Sequence, residues 1–271
     1  MKTVLKNIFD FYINASIHVG FATLSLVLLT YYFSHLKISY AVCGLVFFGT
    51  IFSYNFIKYY SVFYSRQKQK KSVYYILALS VLSMLLAGLC FLLLNRTTQI
   101  IALLFGALTL LYAIPVGKLK KNLRNLSGIK IYIVSFCWAG ATLLLPLLNA
   151  DYVLNTDVLA KFIQRFIITL LLILIFEIKD LEVDDPNLKT FPQIFGVLKT
   201  KLFIVLLCIP FYVLEFFKTG YYANQWLVNL ILVAVIITFT YFVNPNRNKY
   251  FTLFWVEAVP ILWLFLSLSI N

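Results

Sequence analysis

The sequence predicts an all-α, polytopic membrane protein. Three observations carry that prediction. Hydrophobic residues make up 62% of the 271 and charged residues only 12%, too little polar surface for a water-soluble chain of this length. The mean hydropathy is +0.91. Nine apolar segments are each long enough to cross a hydrocarbon layer of about 30 Å. Their apolar runs are continuous rather than alternating, which excludes a membrane β-barrel. In lipid, only helices then satisfy the backbone of each segment internally.

The nine expected spans follow in order. The first, near 13–33, comes after an amphipathic start, MKTVLKNIFDFYIN, which lacks the small-residue cleavage site of a secretion signal. Lys37 separates it from the second, 38–57, and a basic loop, 58–72, leads to the third, 73–94. Arg96 marks the short link to the fourth, 98–116. A second basic loop, 117–128, precedes the fifth, 129–149, and the sixth follows at 158–178. The third substantial loop, 179–199, leads to the seventh, 200–217. Lys218 separates that from the eighth, 225–243, and Arg247 with Lys249 precede the ninth, 250–270. No soluble segment of domain size remains, so residues 1–271 are expected to form one membrane domain.

The net charge of +13 reads first as topology. With the N-terminus placed in the cytoplasm, 18 Lys and Arg residues fall on the cytoplasmic side and 5 on the other. That is the positive-inside pattern of a multi-pass protein, expected here in a bacterial inner membrane. Nucleic-acid binding is excluded for want of a soluble module. Cys43, Cys90, Cys137 and Cys208 lie singly in apolar segments and form no metal spacing. His18 and His35 are isolated, and read as hydrogen-bonded interface residues rather than ligands.

The densest chemistry lies just beyond the sixth span. Five of the ten acidic residues fall in the run Glu177-Ile-Lys-Asp180-Leu-Glu182-Val-Asp184-Asp185. On a helix, Glu177, Asp180 and Asp184 share one face. Like charges so close call for a cation, and hard oxygen ligands favour Mg²⁺ carried together with substrate phosphates.

The run EIKDLEVDDPNLKTFPQIFG, 177–196, resembles the second aspartate motif of the UbiA superfamily of intramembrane prenyltransferases. Glu177 stands for the first Asp, while Asp180, Glu182 and Asp184 match; Thr190-Phe191-Pro192 and Gly196 follow. The segment LYAIPVGKLKKNLRNLSGIKIYIVSFCWA, 111–139, is similar to a second family segment. The resemblance implies tilted helices around a central cavity open to cytoplasm and lipid. It implies that Mg²⁺, held by two aspartate-rich motifs, binds a prenyl diphosphate. An allylic cation, formed as pyrophosphate leaves, then alkylates an aromatic or other lipid-soluble acceptor. By position, Asn55 and Tyr112 become cavity and catalytic residues beside Asp180 and Asp184. Glu177, Asp180 and Asp184 become the metal set. Lys58, Lys118, Lys120, Lys121 and Arg124 become the diphosphate grip.

The first aspartate motif departs from the family pattern. Its Asn is present as Asn55, but its three Asp positions hold Phe56, Tyr59 and Phe63, and no acidic residue lies between Asp10 and Asp151. Two readings follow. In one, the chain is a prenyltransferase with half a metal site, in which Lys58 supplies the missing positive charge. In the other, the fold binds an isoprenoid lipid or a partner without turnover. A transporter reading, built on Glu257 and on Lys161 with Arg165, ranks last because no inverted repeat is visible; Lys161 and Arg165 read instead as anchors at the outer interface.

Overall fold

The computed structural model describes residues 2–64, 71–113, 128–219, 222 and 224–271. Among them the regular structure is helical throughout. The helices are α1 (Lys2–Asn14), α2 (Ile17–Phe33), α3 (Tyr40–Tyr64), α4 (Lys71–Leu92) and α5 (Arg96–Ala113). They continue with α6 (Lys130–Asn149), α7 (Thr156–Lys179), the short α8 (Phe191–Phe195), α9 (Val197–Phe217), α10 (Gln225–Phe242) and α11 (Phe251–Ile270). Among the described residues, eight helices are long and apolar enough to span a membrane, or nine if α1 and α2 count as one bent span. The chain is an integral, multi-pass membrane protein.

The first expected span is not straight. Ser16 adopts a left-handed conformation, φ 58°, and α2 leaves α1 at 56°. Such a corner strands carbonyls at the end of α1. Helix α3 satisfies them. Asn55 Nδ2 donates to Ala15 O at 3.0 Å, while Lys58 Nζ and Tyr59 Oη each donate to Asn14 O at 3.2 Å. Ser16 Oγ completes the joint by donating to Asn55 Oδ1 at 2.9 Å.

Helix α7 is the central post. Its span is 61% buried, against 11% for α5 at the periphery. Leu171, Leu174, Ile175 and Ile178 pack there against Leu26 and Leu29 of α2, Phe211 of α9, Ile236 of α10 and Trp263 of α11. A second cluster, with Val27, Val46, Phe105 and Leu145, joins α2, α3, α5 and α6. Lipid removes the hydrophobic drive between helices, so close packing and polar bonds hold such bundles together.

Arg165 makes one of those bonds. Helix α6 contains a π-helical stretch, Gly140–Leu144, which interrupts its hydrogen-bond ladder. The carbonyl of Thr142 accepts from Arg165 Nη1 at 2.8 Å and from Thr30 Oγ1 at 2.7 Å. Arg165 was expected to anchor an outer interface. Instead it is buried, clamping α2, α6 and α7 around that carbonyl. At the same end of the bundle, Glu215 is buried and accepts from Gln164, Lys218 and Asn229. His18 bridges the Tyr12 hydroxyl and the Phe254 carbonyl, and His35 meets the Tyr222 hydroxyl, as the reading of isolated hydrogen-bonded histidines expects.

Candidate active site

A cavity of about 940 Å³ opens between α2, α3, α5, α6, α7 and α11. Its mouth gathers Lys58, Lys130, Glu177, Asp180 and Asp184. Deeper in, Tyr54, Trp138 and Glu257 line it, and the remainder is chiefly apolar, with Val46, Leu103, Phe105 and Phe176 among the walls.

The acidic cluster is assembled from the end of α7. Glu177 lies in the last helical turn and Asp180 caps the helix. The chain then turns tightly. Val183 N and Asp184 N both donate to Asp180 O, at 2.9 and 2.8 Å, which returns the Asp184 carboxylate to the mouth. Lys130, the first residue of α6, enters the cluster from the other side. Its Nζ lies 3.0 Å from Glu177 Oε1 and 3.5 Å from Asp184 Oδ2.

The segment after the cluster is built around Glu177 as well. Thr190 begins α8 with a capping box, its N–H donating to Gln193 Oε1 at 2.8 Å. The next N–H, that of Phe191, donates to Glu177 Oε2 at 3.0 Å. A carboxylate suits the first N–H groups of a helix. Gly196 then links α8 to α9 at φ 81°, a conformation that favours glycine.

Both oxygens of Glu177 are therefore committed, one to an ammonium and one to a backbone N–H. This corrects the expectation of a three-carboxylate metal face. Glu177 acts as a brace between α6, α7 and α8. Among the described residues, no group of three His, Cys, Asp or Glu side chains is arranged to hold a metal ion. Asp180 and Asp184 remain at the mouth as hard oxygen donors. The Asp180 carboxyl is held above the usual aspartate range, by desolvation first and by neighbouring Asp184 second, with Lys179 and Lys130 pulling the other way. Asp185 takes a local role, accepting from Asn187 N at 2.9 Å.

The remaining expected residues separate. Tyr112 lines the cavity from the last turn of α5. Asn55 is fully buried, and both ends of its amide serve the α1–α2 corner; it is not among the lining residues. Lys58 lines the mouth, but its ammonium bonds to Asn14 O, and the cation found on the carboxylates is that of Lys130. Lys118, Lys120, Lys121 and Arg124 lie outside the described residues. Sequence reasoning missed Lys130 as a site residue. Its signal was present, because Gly128-Ile129-Lys130 closes the basic stretch of the family-like 111–139 segment.

No protein-family profile matches the sequence, and no curated protein matches it. Solved structures do match. A UbiA homologue from Aeropyrum pernix K1 superposes with a TM-score of 0.65 over 91% of this chain and 96% of its own, at 15% identity. A UbiA homologue from Archaeoglobus fulgidus, bound to GPP and Mg²⁺, gives 0.66 over 96% and 99%, at 11% identity. The chain has the UbiA fold. A digeranylgeranylglyceryl phosphate synthase gives 0.60 over 98% of this chain and 97% of its own, at 15% identity.

Proposed function

We propose that this protein is an intramembrane prenyltransferase, which moves an isoprenyl group from a prenyl diphosphate to a lipid-soluble acceptor. The observation that carries the reading is the cavity itself. Lysines and carboxylates crowd its mouth, where a diphosphate would sit, and an apolar interior continues beneath, where an isoprenoid tail would lie. The homologue bound to GPP and Mg²⁺ supports the donor class. In the membrane, the mouth would face the cytoplasm, with the N-terminus on the same side, as the positive-inside pattern argues.

Each part of the site has a task in this reading. Asp180 and Asp184 would hold one Mg²⁺, whose remaining ligands are water and diphosphate oxygens. That ion supplies charge neutralisation for the departing diphosphate. Lys130 and Lys58 add fixed positive charge at the mouth, joined in the proposal by Lys118, Lys120, Lys121 and Arg124. The apolar walls exclude water, which would otherwise quench an allylic cation. The rings of Tyr54, Trp138 and Phe176 offer it their faces.

A second reading keeps the fold without turnover. The favouring observation is that α3 carries aromatic residues at the three aspartate positions, and that Tyr59 there bonds to the α1–α2 corner. Calorimetry of purified protein in detergent, with farnesyl and geranylgeranyl diphosphate and with or without Mg²⁺, separates the two. A working site requires metal-dependent binding that Asp180→Ala abolishes. Binding indifferent to metal and to Asp180 would favour a non-catalytic lipid carrier.

A further inference from the structure

Glu257 is a carboxylate inside a membrane span that the donor-binding mouth does not use. The other acidic side chains within spans are accounted for. Asp157 accepts from Thr219 N and Oγ1, both at 2.9 Å. Glu177 holds Lys130 and the Phe191 N–H. Glu215 holds three donors. Among the described residues, Glu257 has no hydrogen bond to its carboxylate and no salt bridge, yet it lines the cavity. An ionisable group at this depth is costly unless something pairs with it.

Its position is built. Glu257 follows a π-helical turn, Phe251–Val256, and its own N–H reaches back to Thr252 O at 3.1 Å. The extra residue of such a turn shifts the register of the side chains beyond it, and such turns are frequent at functional sites. Pro260, three residues on, cannot donate to the carbonyl of Val256. Counting from Phe251, Glu257 lies about 9 Å along its helix, whereas Glu177 lies about 3 Å from the end of α7. The carboxylate is thus one tier below the mouth.

A second polar group shares that tier. Trp138 Nε1 donates to the Tyr54 hydroxyl at 3.0 Å, and Tyr54, Tyr112 and Glu257 line the same cavity. Beneath the tier the lining is chiefly apolar, with Leu45, Phe91, Leu103 and Leu145, and the hydroxyls of Thr109, Thr142 and Thr169 are spent on carbonyls of their own helices. A molecule reaching Glu257 must therefore be greasy and carry one hydrogen-bond donor.

We propose that Tyr54 and Glu257 form the acceptor subsite, which takes a lipophilic phenol or alcohol by receiving its O–H on the Glu257 carboxylate. This deepens the prenyltransferase reading and rests on it for the word acceptor; the hydroxyl site itself stands on the cavity. The subsite puts the acceptor oxygen below the diphosphate mouth, alongside the part of the donor where the new bond would form.

The test uses 4-hexylphenol and its methyl ether, 4-hexylanisole, which has the same tail and no O–H. Binding to the full chain in detergent is followed by tryptophan fluorescence, with farnesyl diphosphate binding measured in parallel. The wild type should prefer the phenol about fivefold, the net value of one hydrogen bond. Glu257→Met should erase that preference and leave farnesyl diphosphate affinity as in the wild type. If the Met variant does not fold, Glu257→Gln should retain only part of the preference. A wild type that does not distinguish the two probes, or a Met or Gln variant that distinguishes them as well as the wild type, overturns the proposal. So does tighter binding of 4-hexylbenzylamine than of the phenol, which would reassign the site to a cation. Phenol preference without farnesyl diphosphate binding would sink the prenyltransferase reading and spare the hydroxyl site.

Discussion

Lys130 and Glu177 are joined across the cavity mouth by a 3.0 Å ion pair, in which Glu177 is 4% and Lys130 14% exposed. The pair ties the first residue of α6 to the last turn of α7. It also decides which carboxylates stay available. Glu177 is spent on Lys130 and on the Phe191 N–H; of the other carboxylates at the mouth, Asp184 shares Lys130 at 3.5 Å and Asp180 has no ion pair among the described residues.

That pair sets the first prediction. Lys130→Met leaves Glu177 charged, buried and short of its counter-ion, which costs about 3 kcal/mol. Removing the charge as well, in Lys130→Met with Glu177→Gln, should recover about 1 kcal/mol or more, because the two sites are coupled. Chemical unfolding in detergent measures both. Simple addition of the two single losses would show that the ion pair does not brace the mouth.

Asp180 should behave in the opposite way. Its carboxylate accepts no hydrogen bond among the described residues, and desolvation with Asp184 holds that carboxyl above the aspartate range. A carboxyl raised in the folded state favours folding while protonated, and that benefit is lost as pH rises through its titration. Asp180→Asn should therefore be at least as stable as the wild type at neutral pH, and the difference should vanish on acidification. The same variant should lose Mg²⁺-dependent diphosphate binding about tenfold or more, since an amide is a poor ligand for a hard cation. Unfolding curves at several pH values and calorimetry check the two halves separately. A variant less stable at neutral pH would contradict the first half, and wild-type metal-dependent affinity the second.

Asn55 marks where family position and local physics part. Asn55→Ala should cost about 1–3 kcal/mol, because Ser16 Oγ and Ala15 O are both left in a buried joint without their partner. Donor affinity should remain close to that of the wild type, because the amide does not line the cavity. A large loss of diphosphate affinity in a stable variant would return Asn55 to the site.

The spans were legible because each is a long apolar run, and the acidic cluster because half of the acidic residues fall in one short stretch. The joints were not. The segment 13–33 reads as one span because Ser16 has no glycine or proline beside it to announce a 56° corner. Once that corner exists, its bare carbonyls recruit Asn55, Lys58 and Tyr59, and the stretch resembling the first family motif becomes a cap. Arg165 read as an interface anchor because hydropathy does not reveal that a π-helical stretch frees a carbonyl across the bundle. Lys130 looked like one more positive-inside lysine until the fold placed it against Glu177.

Gly140 tests how the cavity limits its ligand. It sits in the π-helical stretch of α6, and a Cβ built there would lie 1.9 Å from Phe105 Cζ and 2.4 Å from Cε1. No Cβ tolerates that distance, so in Gly140→Ala either α5 separates from α6 or the Phe105 ring turns aside. The ring is the softer element, and Phe105 already lines the cavity. Turning inward, it narrows the apolar interior beneath the polar tier. Overpacking of this kind costs about 1–3 kcal/mol. The cost in binding should fall on the longer tail, so geranylgeranyl diphosphate should weaken more than farnesyl diphosphate, with the mouth residues untouched. Calorimetry of both donors on both proteins gives the comparison. Equal weakening of the two would mean that the helices had separated and disturbed the whole cavity. No weakening of either would mean that Phe105 had turned away from it.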